Sequence, residues 1–159
     1  MLFEGVRVLD LSRMLAGPYG SMLMADLGAE VIKIEEPDGG DPMRVMGPPF
    51  LLNGESAYFL SINRNKKSVA LDLTKAQGRQ VFFDLVRISD VVWDNFRPGI
   101  MAKLGCDPPQ LSALNPRLIC CSISAYGQEG PYRDWPAFDL ALQAMGEIGR
   151  ASCRERCRL

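Results

Sequence analysis

Histidine is absent from all 159 residues, and that gap removes a good deal of chemistry. No Ser–His or Cys–His pair can activate a nucleophile within these residues, and the commonest nitrogen ligand for a metal is missing. The five cysteines, Cys106, Cys120, Cys121, Cys153 and Cys157, show no CxxC spacing. Structural zinc therefore lacks a usable ligand pattern, and no metal is expected. An excess of either charge is lacking too: 18 Lys and Arg stand against 19 Asp and Glu, for a net charge of -1. No global field draws the chain to nucleic acid or to an anionic membrane, so an anionic ligand has to be held by local groups. No apolar run approaches the roughly 18 residues of a membrane span, and the start Met1–Gly5 has neither the basic nor the apolar region of a signal peptide. The expected compartment is the cytoplasm, or the mitochondrial matrix if a transit peptide is missing from this copy.

What is present is enough for one domain with a real core, since 47% of the residues are hydrophobic. The run Val6–Leu11 reads as a first strand, Tyr19–Leu27 as a helix ended by Gly28, and Glu30–Ile34 as a second strand. Together they make a βαβ unit, whose crossover is nearly always right-handed. From Glu35 to Ser56, eight Gly and Pro residues forbid long regular elements. A loop of that length is a candidate ligand-covering segment, with a solvent-exposed linker as the alternative.

Lys67–Leu73 alternates as a third strand, with Thr74 placed to cap a helix over Lys75–Ile88. Asp90–Trp93 is a fourth strand, Pro98 starts a helix to Leu104, and Pro109–Leu114 is a further short helix. Leu118–Ile123 is an apolar run suited to a strand buried on both faces, in which Cys120 and Cys121 are small core residues. A helical stretch begins at Ala137. This alternation implies an α/β domain, Rossmann-like, with a mostly parallel sheet and flanking helices.

Residues 147–159 differ from what precedes them, holding four Arg and two Cys in thirteen positions. The stretch Glu147–Arg156 resembles the in-frame translation of a sequencing adapter, so 1–146 is expected to be the native Rossmann-like part and 147–159 a non-native tail. Without that tail the other residues carry 14 positive and 17 negative charges.

Four strings invite a functional reading. Ser12–Pro18 follows the first strand, where helix amides face the sheet's carboxyl edge, although it is no GxGxxG and Pro18 removes a donor. Asn63–Ser68 clusters Arg64, Lys66 and Lys67, which a phosphorylated ligand would neutralise; a solvated basic edge would look the same. Asp94–Gly99 sets an amide, an aromatic face and a guanidinium at the end of a strand, suited to adenine or phosphate. Ala125–Pro131 follows the last strand, at the same expected edge.

In this order the strings resemble the class III coenzyme A transferases, the formyl-CoA, carnitine-CoA and succinate-hydroxymethylglutarate CoA transferase group. The resemblance covers residues 2–146 and is carried by GVRVLDLSRMLAGPYGSMLMADLGAEVIKIEEPDGGDPMR, SINRNKKSVALDL, DNFRPGIMAKLG, LNPRLICCSISAYGQEGPY and WPAFDLALQAMG. It implies an incomplete large domain that binds coenzyme A or acyl-CoA as substrate, with no permanently bound cofactor. The implied contacts are Leu15 and Ala16; Leu71, Asp72, Leu73 and Thr74; Asn95, Phe96 and Arg97; Lys103, assigned to phosphate; and Ala137, Phe138 and Asp139. Where some relatives have arginine after Lys-Ile-Glu, this chain has Glu36, which cannot hold phosphate.

The resemblance further implies transfer of coenzyme A from an acyl-CoA to a carboxylic acid through an aspartyl intermediate. The nucleophilic aspartate is expected in a Gly-Asp loop beyond Met145, so these residues contain no catalytic group and the truncated chain is expected to be inactive. Asp139 flanks the ligand in relatives without being the nucleophile, and the full-length protein is expected to be an interlocked homodimer. Two alternatives stay open. An α-methylacyl-CoA racemase-like enzyme would need a proton-transferring histidine where Phe138 stands. A non-catalytic nucleotide-binding or interaction module would explain the βαβ pattern alone.

Overall fold

The computed structural model describes residues 1–146; the expected tail lies outside the described residues. Five strands, β1 (Arg7–Asp10), β2 (Glu30–Glu35), β3 (Lys66–Ala70), β4 (Val91–Asp94) and β5 (Ile119–Ser122), form one sheet in the order β3-β2-β1-β4-β5. Every pairing is parallel. The helices are α1 (Ala16–Asp26), α2 (Ala57–Asn63), α3 (Ala76–Arg87), α4 (Ile100–Lys103), α5 (Pro108–Leu114) and α6 (Asp139–Met145). The Rossmann-like α/β reading therefore holds. The described residues divide into two compact units, 1–123 and 124–146.

Strand periodicity separates two chemically different faces in the first unit. Leu9, Leu11, Ile34 and Val92 point to one side and join Phe82 and Val86 of α3 and Leu111 of α5 in the largest apolar cluster. Each fully buried side chain of this size contributes about 1.5–3 kcal/mol. The opposite face starts apolar, with Val8, Val31 and Val91 packed on Ala25 of α1. Toward the carboxyl ends of the strands the same face turns ionic, where Asp10, Lys33 and Glu35 are all buried.

Those buried charges are matched. Asp10 accepts from Ser12 Oγ, from Ser21 Oγ at 2.6 Å and from Lys66 Nζ at 3.0 Å. Lys66 also donates to the Pro18 carbonyl and to Asn63 Oδ1; burial pushes its pKa down, against the pull of Asp10. Lys33 Nζ lies 2.9 Å from Asp41 Oδ2 and donates to the Ser12 carbonyl at 2.7 Å. Glu35 receives Arg44 Nε at 2.8 Å and Nη2 at 2.6 Å, the Asp41 amide, and Ser68 Oγ. The Arg44 guanidinium also lies over the Phe59 ring at 4.0 Å.

Several expectations are corrected. Helix α1 begins three residues before Tyr19, at Ala16. The segment 57–63 is a helix, capped by Ser56 Oγ accepting from the Phe59 amide, and a 3-10 turn forms at Pro42–Val45 within the long loop. Strand β3 stops at Ala70 because Asp72 takes over: its Oδ1 accepts from the amide and the hydroxyl of Thr74. Thr74 is thus occupied and does not cap α3, whose N-cap is Lys75. Strand β5 is not buried on both faces. Among the described residues it has one neighbour strand, and Ile119 is 62% exposed.

In the second unit, the rings of Tyr132 and Trp135 lie 4.5 Å apart, with Tyr126 edge-on to each. Helix α6 starts at Asp139 rather than Ala137 and contains no buried residue.

Candidate functional site

The carboxyl ends of β1, β2 and β4 border a cleft of about 290 Å³. Its floor is the upper end of the apolar face, formed by Leu11, Ile34, Leu71, Leu73, Phe96 and Leu104. Its rim is polar and carries Arg13, Glu36, Asp38, Asp72 and Thr74. In open parallel sheets, ligands bind at this edge because strand ends and helix starts leave backbone groups and loops free to diverge there.

The rim is held by Asp10 and Asp41, which sequence patterning left unassigned, together with Asn95. In the turn after β1, three successive amides are taken: Ser12 N by Asp10 Oδ1 at 2.9 Å, Arg13 N by Asn95 Oδ1 at 2.8 Å and Met14 N by Asp41 Oδ1 at 3.3 Å. Met14 adopts a left-handed conformation there, with φ of 68°. Gly17 is required by close approach, because a Cβ would lie 2.3 Å from Ser12 Cβ. Asn95 Nδ2 returns a bond to the Arg13 carbonyl at 2.7 Å, so its amide clasps the Arg13 backbone from both sides. The Arg13 guanidinium lies 5.3 Å from the Phe96 ring centre and pairs with Glu36 Oε1 at 2.6 Å.

The 71–74 wall is equally constrained. Leu71 N donates to the Glu35 carbonyl at 2.8 Å, and Arg79 Nη1 donates to the carbonyls of Leu73 and Thr74. Thr74, with its hydroxyl and amide, and Lys75 hold the Asp72 carboxyl down to about 2, so it is ionised at neutral pH. Burial raises Asp94 above the ordinary carboxylate value, against bonds from the Phe96 amide and Ser122 Oγ.

Of the residues named from sequence, Leu71, Asp72, Leu73, Thr74 and Phe96 line one cleft. Asn95 acts on its rim through Arg13. Leu15 is the exposed N-cap of α1 and Ala16 its exposed first residue, just beyond that turn. Arg97 and Lys103 are exposed and outside the lining, although Phe96 and Leu104 beside them are in it. Ala137, Phe138 and Asp139 belong to the second unit, where Asp139 Oδ2 accepts from Gln143 Nε2 at 2.8 Å. The Arg64, Lys66 and Lys67 cluster is committed internally: Arg64 pairs with Asp26, Lys66 with Asp10 and Lys67 with Glu30.

The sequence matches the profile of CoA-transferase family III over residues 3–155. The chain belongs to that family. Relatives in it include a succinate–glutarate CoA-transferase of Agrobacterium fabrum, 46% identical over 147 residues, covering 89% of this chain and 37% of the relative. An acetyl-CoA:oxalate CoA-transferase of Acetobacter aceti is 44% identical over 150 residues, covering 94% of this chain and 38% of the relative. Among solved structures, a CaiB/BaiF family protein from Brucella suis superposes with a TM-score of 0.87 at 43% identity, covering 91% of this chain and 39% of that one. The chain thus spans under two-fifths of the length of these family III relatives.

Proposed function

We propose that this chain supplies the coenzyme A-binding part of an enzyme that moves coenzyme A from an acyl-CoA to a carboxylic acid. The cleft carries the reading: in a family III chain, an apolar floor with Phe96 suits adenine or pantetheine, and the exposed Arg97 and Lys103 beside it suit phosphates. Leu15 and Ala16 at the start of α1, and Ala137, Phe138 and Asp139, complete the proposed contacts. The nucleophile is an aspartate beyond Met145, which forms an acyl anhydride and then an aspartyl-CoA thioester before the acceptor carboxylate takes the coenzyme. No permanent cofactor takes part. The complete enzyme is a cytoplasmic homodimer, and its acceptor is a dicarboxylate, as the relatives' names and the Gly47–Phe50 and Ser61–Lys67 segments suggest. Among the described residues, no helix is long and apolar enough to cross a membrane.

The racemase alternative fails on Phe138, an exposed side chain that cannot exchange protons. The test is to express the complete reading frame of the source gene and follow exchange between succinyl-CoA and oxalate, glutarate and malate. Exchange that disappears when the aspartate of the downstream Gly-Asp loop becomes alanine supports the transferase. Absence of exchange with every acid, despite coenzyme A binding, would leave a binding module.

A further inference from the structure

The cleft has an unusual charge balance for one that receives a phosphorylated nucleotide. Its lining holds one cation, Arg13, against the carboxylates of Glu35, Glu36, Asp38 and Asp72. Glu35 is matched by Arg44 and Asp72 by Lys75. Arg13 is itself engaged, with Glu36 at 2.6 Å and its plane near Phe96. After these pairings Asp38 is left over, so the rim presents negative charge to an incoming anion. Glu36 directly follows β2, the position from which an acid in nucleotide-binding sheets accepts a ribose hydroxyl, and where a phosphorylated ribose needs a cation instead.

We propose that Glu36 determines the charge specificity of this cleft: it accepts a ribose hydroxyl from the nucleoside end of the ligand and keeps a terminal phosphomonoester out. The proposal rests on the coenzyme A reading above and specifies which part of that ligand the cleft takes. A phosphate carrying about two negative charges meets Asp38 and Glu36, and can reach Arg13 only by displacing Glu36. Hydroxyl groups meet no such repulsion. The 3′-phosphate of coenzyme A therefore stays at the solvent-facing rim, and the ligand lacking it loses nothing in the cleft.

Titration calorimetry with coenzyme A and 3′-dephospho-coenzyme A tests this. The unaltered protein is expected to bind the dephospho form at least as tightly as coenzyme A. Glu36→Gln removes the repulsion and releases Arg13, shifting the affinity ratio toward coenzyme A by about tenfold, which corresponds to about 1.4 kcal/mol. Glu36→Asp keeps the charge and should keep the ratio. In the Arg13→Gln, Glu36→Gln double variant the shift disappears. Glu36 and Arg13 have side chains 57% and 38% exposed, so these variants are expected to melt with the parent protein. Coenzyme A binding tenfold tighter than its dephospho form in the unaltered protein would overturn the proposal and leave the coenzyme A reading standing, as would an unchanged ratio in Glu36→Gln. Binding of neither compound would remove the coenzyme A reading of the cleft, and the proposal with it.

Discussion

Glu35 sits at the end of β2 with its carboxylate buried. Burial alone would raise its pKa, but bonds from Arg44, Ser68 and the Asp41 amide outweigh it and bring the value from 4.5 to about 2. Because the folded value is depressed, the stabilisation is complete above the unfolded value of about 4.5 and is lost as pH falls from there to about 2. Arg44 is partly exposed, so solvent screening trims the effect to on the order of 2 kcal/mol. Urea melts at pH 7 and pH 3 should show somewhat more than half of that loss, and Glu35→Gln should flatten this part of the profile. A sharper loss is expected at Lys66. Replacing it with Met leaves Asp10 charged, buried and without its ammonium, which costs about 3–5 kcal/mol. A thermal shift below 3 °C would show that the pair is dispensable.

At the scale of elements, the 71–74 segment joins the sheet to α3 and forms one wall of the cleft. Gly78 lets the two approach: a Cβ there would stand 2.1 Å from the Asp72 carbonyl oxygen, a backbone atom that cannot swing aside. Gly78→Ala should push α3 off this wall, lowering the melting temperature and weakening coenzyme A binding at least tenfold. An unaltered affinity would mean that the wall does not touch the ligand. The same segment shows what sequence alone makes legible. The βαβ units and the parallel sheet follow from periods of 2.0 and 3.6, and the residues at 71–74 and Phe96 were identifiable from their resemblance to a family. The clamp around them was not. Nothing in EVIKI marks Lys33 as buried, because its partners Asp41 and Ser12 come from separate loops. Lys66 reads as part of a basic edge for the same reason. Helix α2 is seven residues long, too short for a helical period to stand out against its Gly- and Pro-rich surroundings.

Across the whole molecule, burial is uneven. The three apolar clusters all lie within residues 1–123, whereas no residue from 124 to 146 is fully buried. Phe138, Leu140 and Met145 of the second unit are half or more exposed. Limited proteolysis should cut within 124–146 first and leave the first unit resistant; early cutting within 76–123 would contradict this. Light scattering of the 159-residue chain should show concentration-dependent self-association through its exposed apolar side chains, and a monodisperse monomer at high concentration would count against it. The strand order has a consequence for synthesis. Strand β1 leaves the ribosome first and ends in the middle of the sheet; β2 and β3 then add on one flank, and β4 and β5 on the other. No later strand has to wedge between two already paired, so the nascent chain can grow its sheet by accretion, and once residue 75 has emerged from the ribosome the three strands of one half are free to pair in their final register.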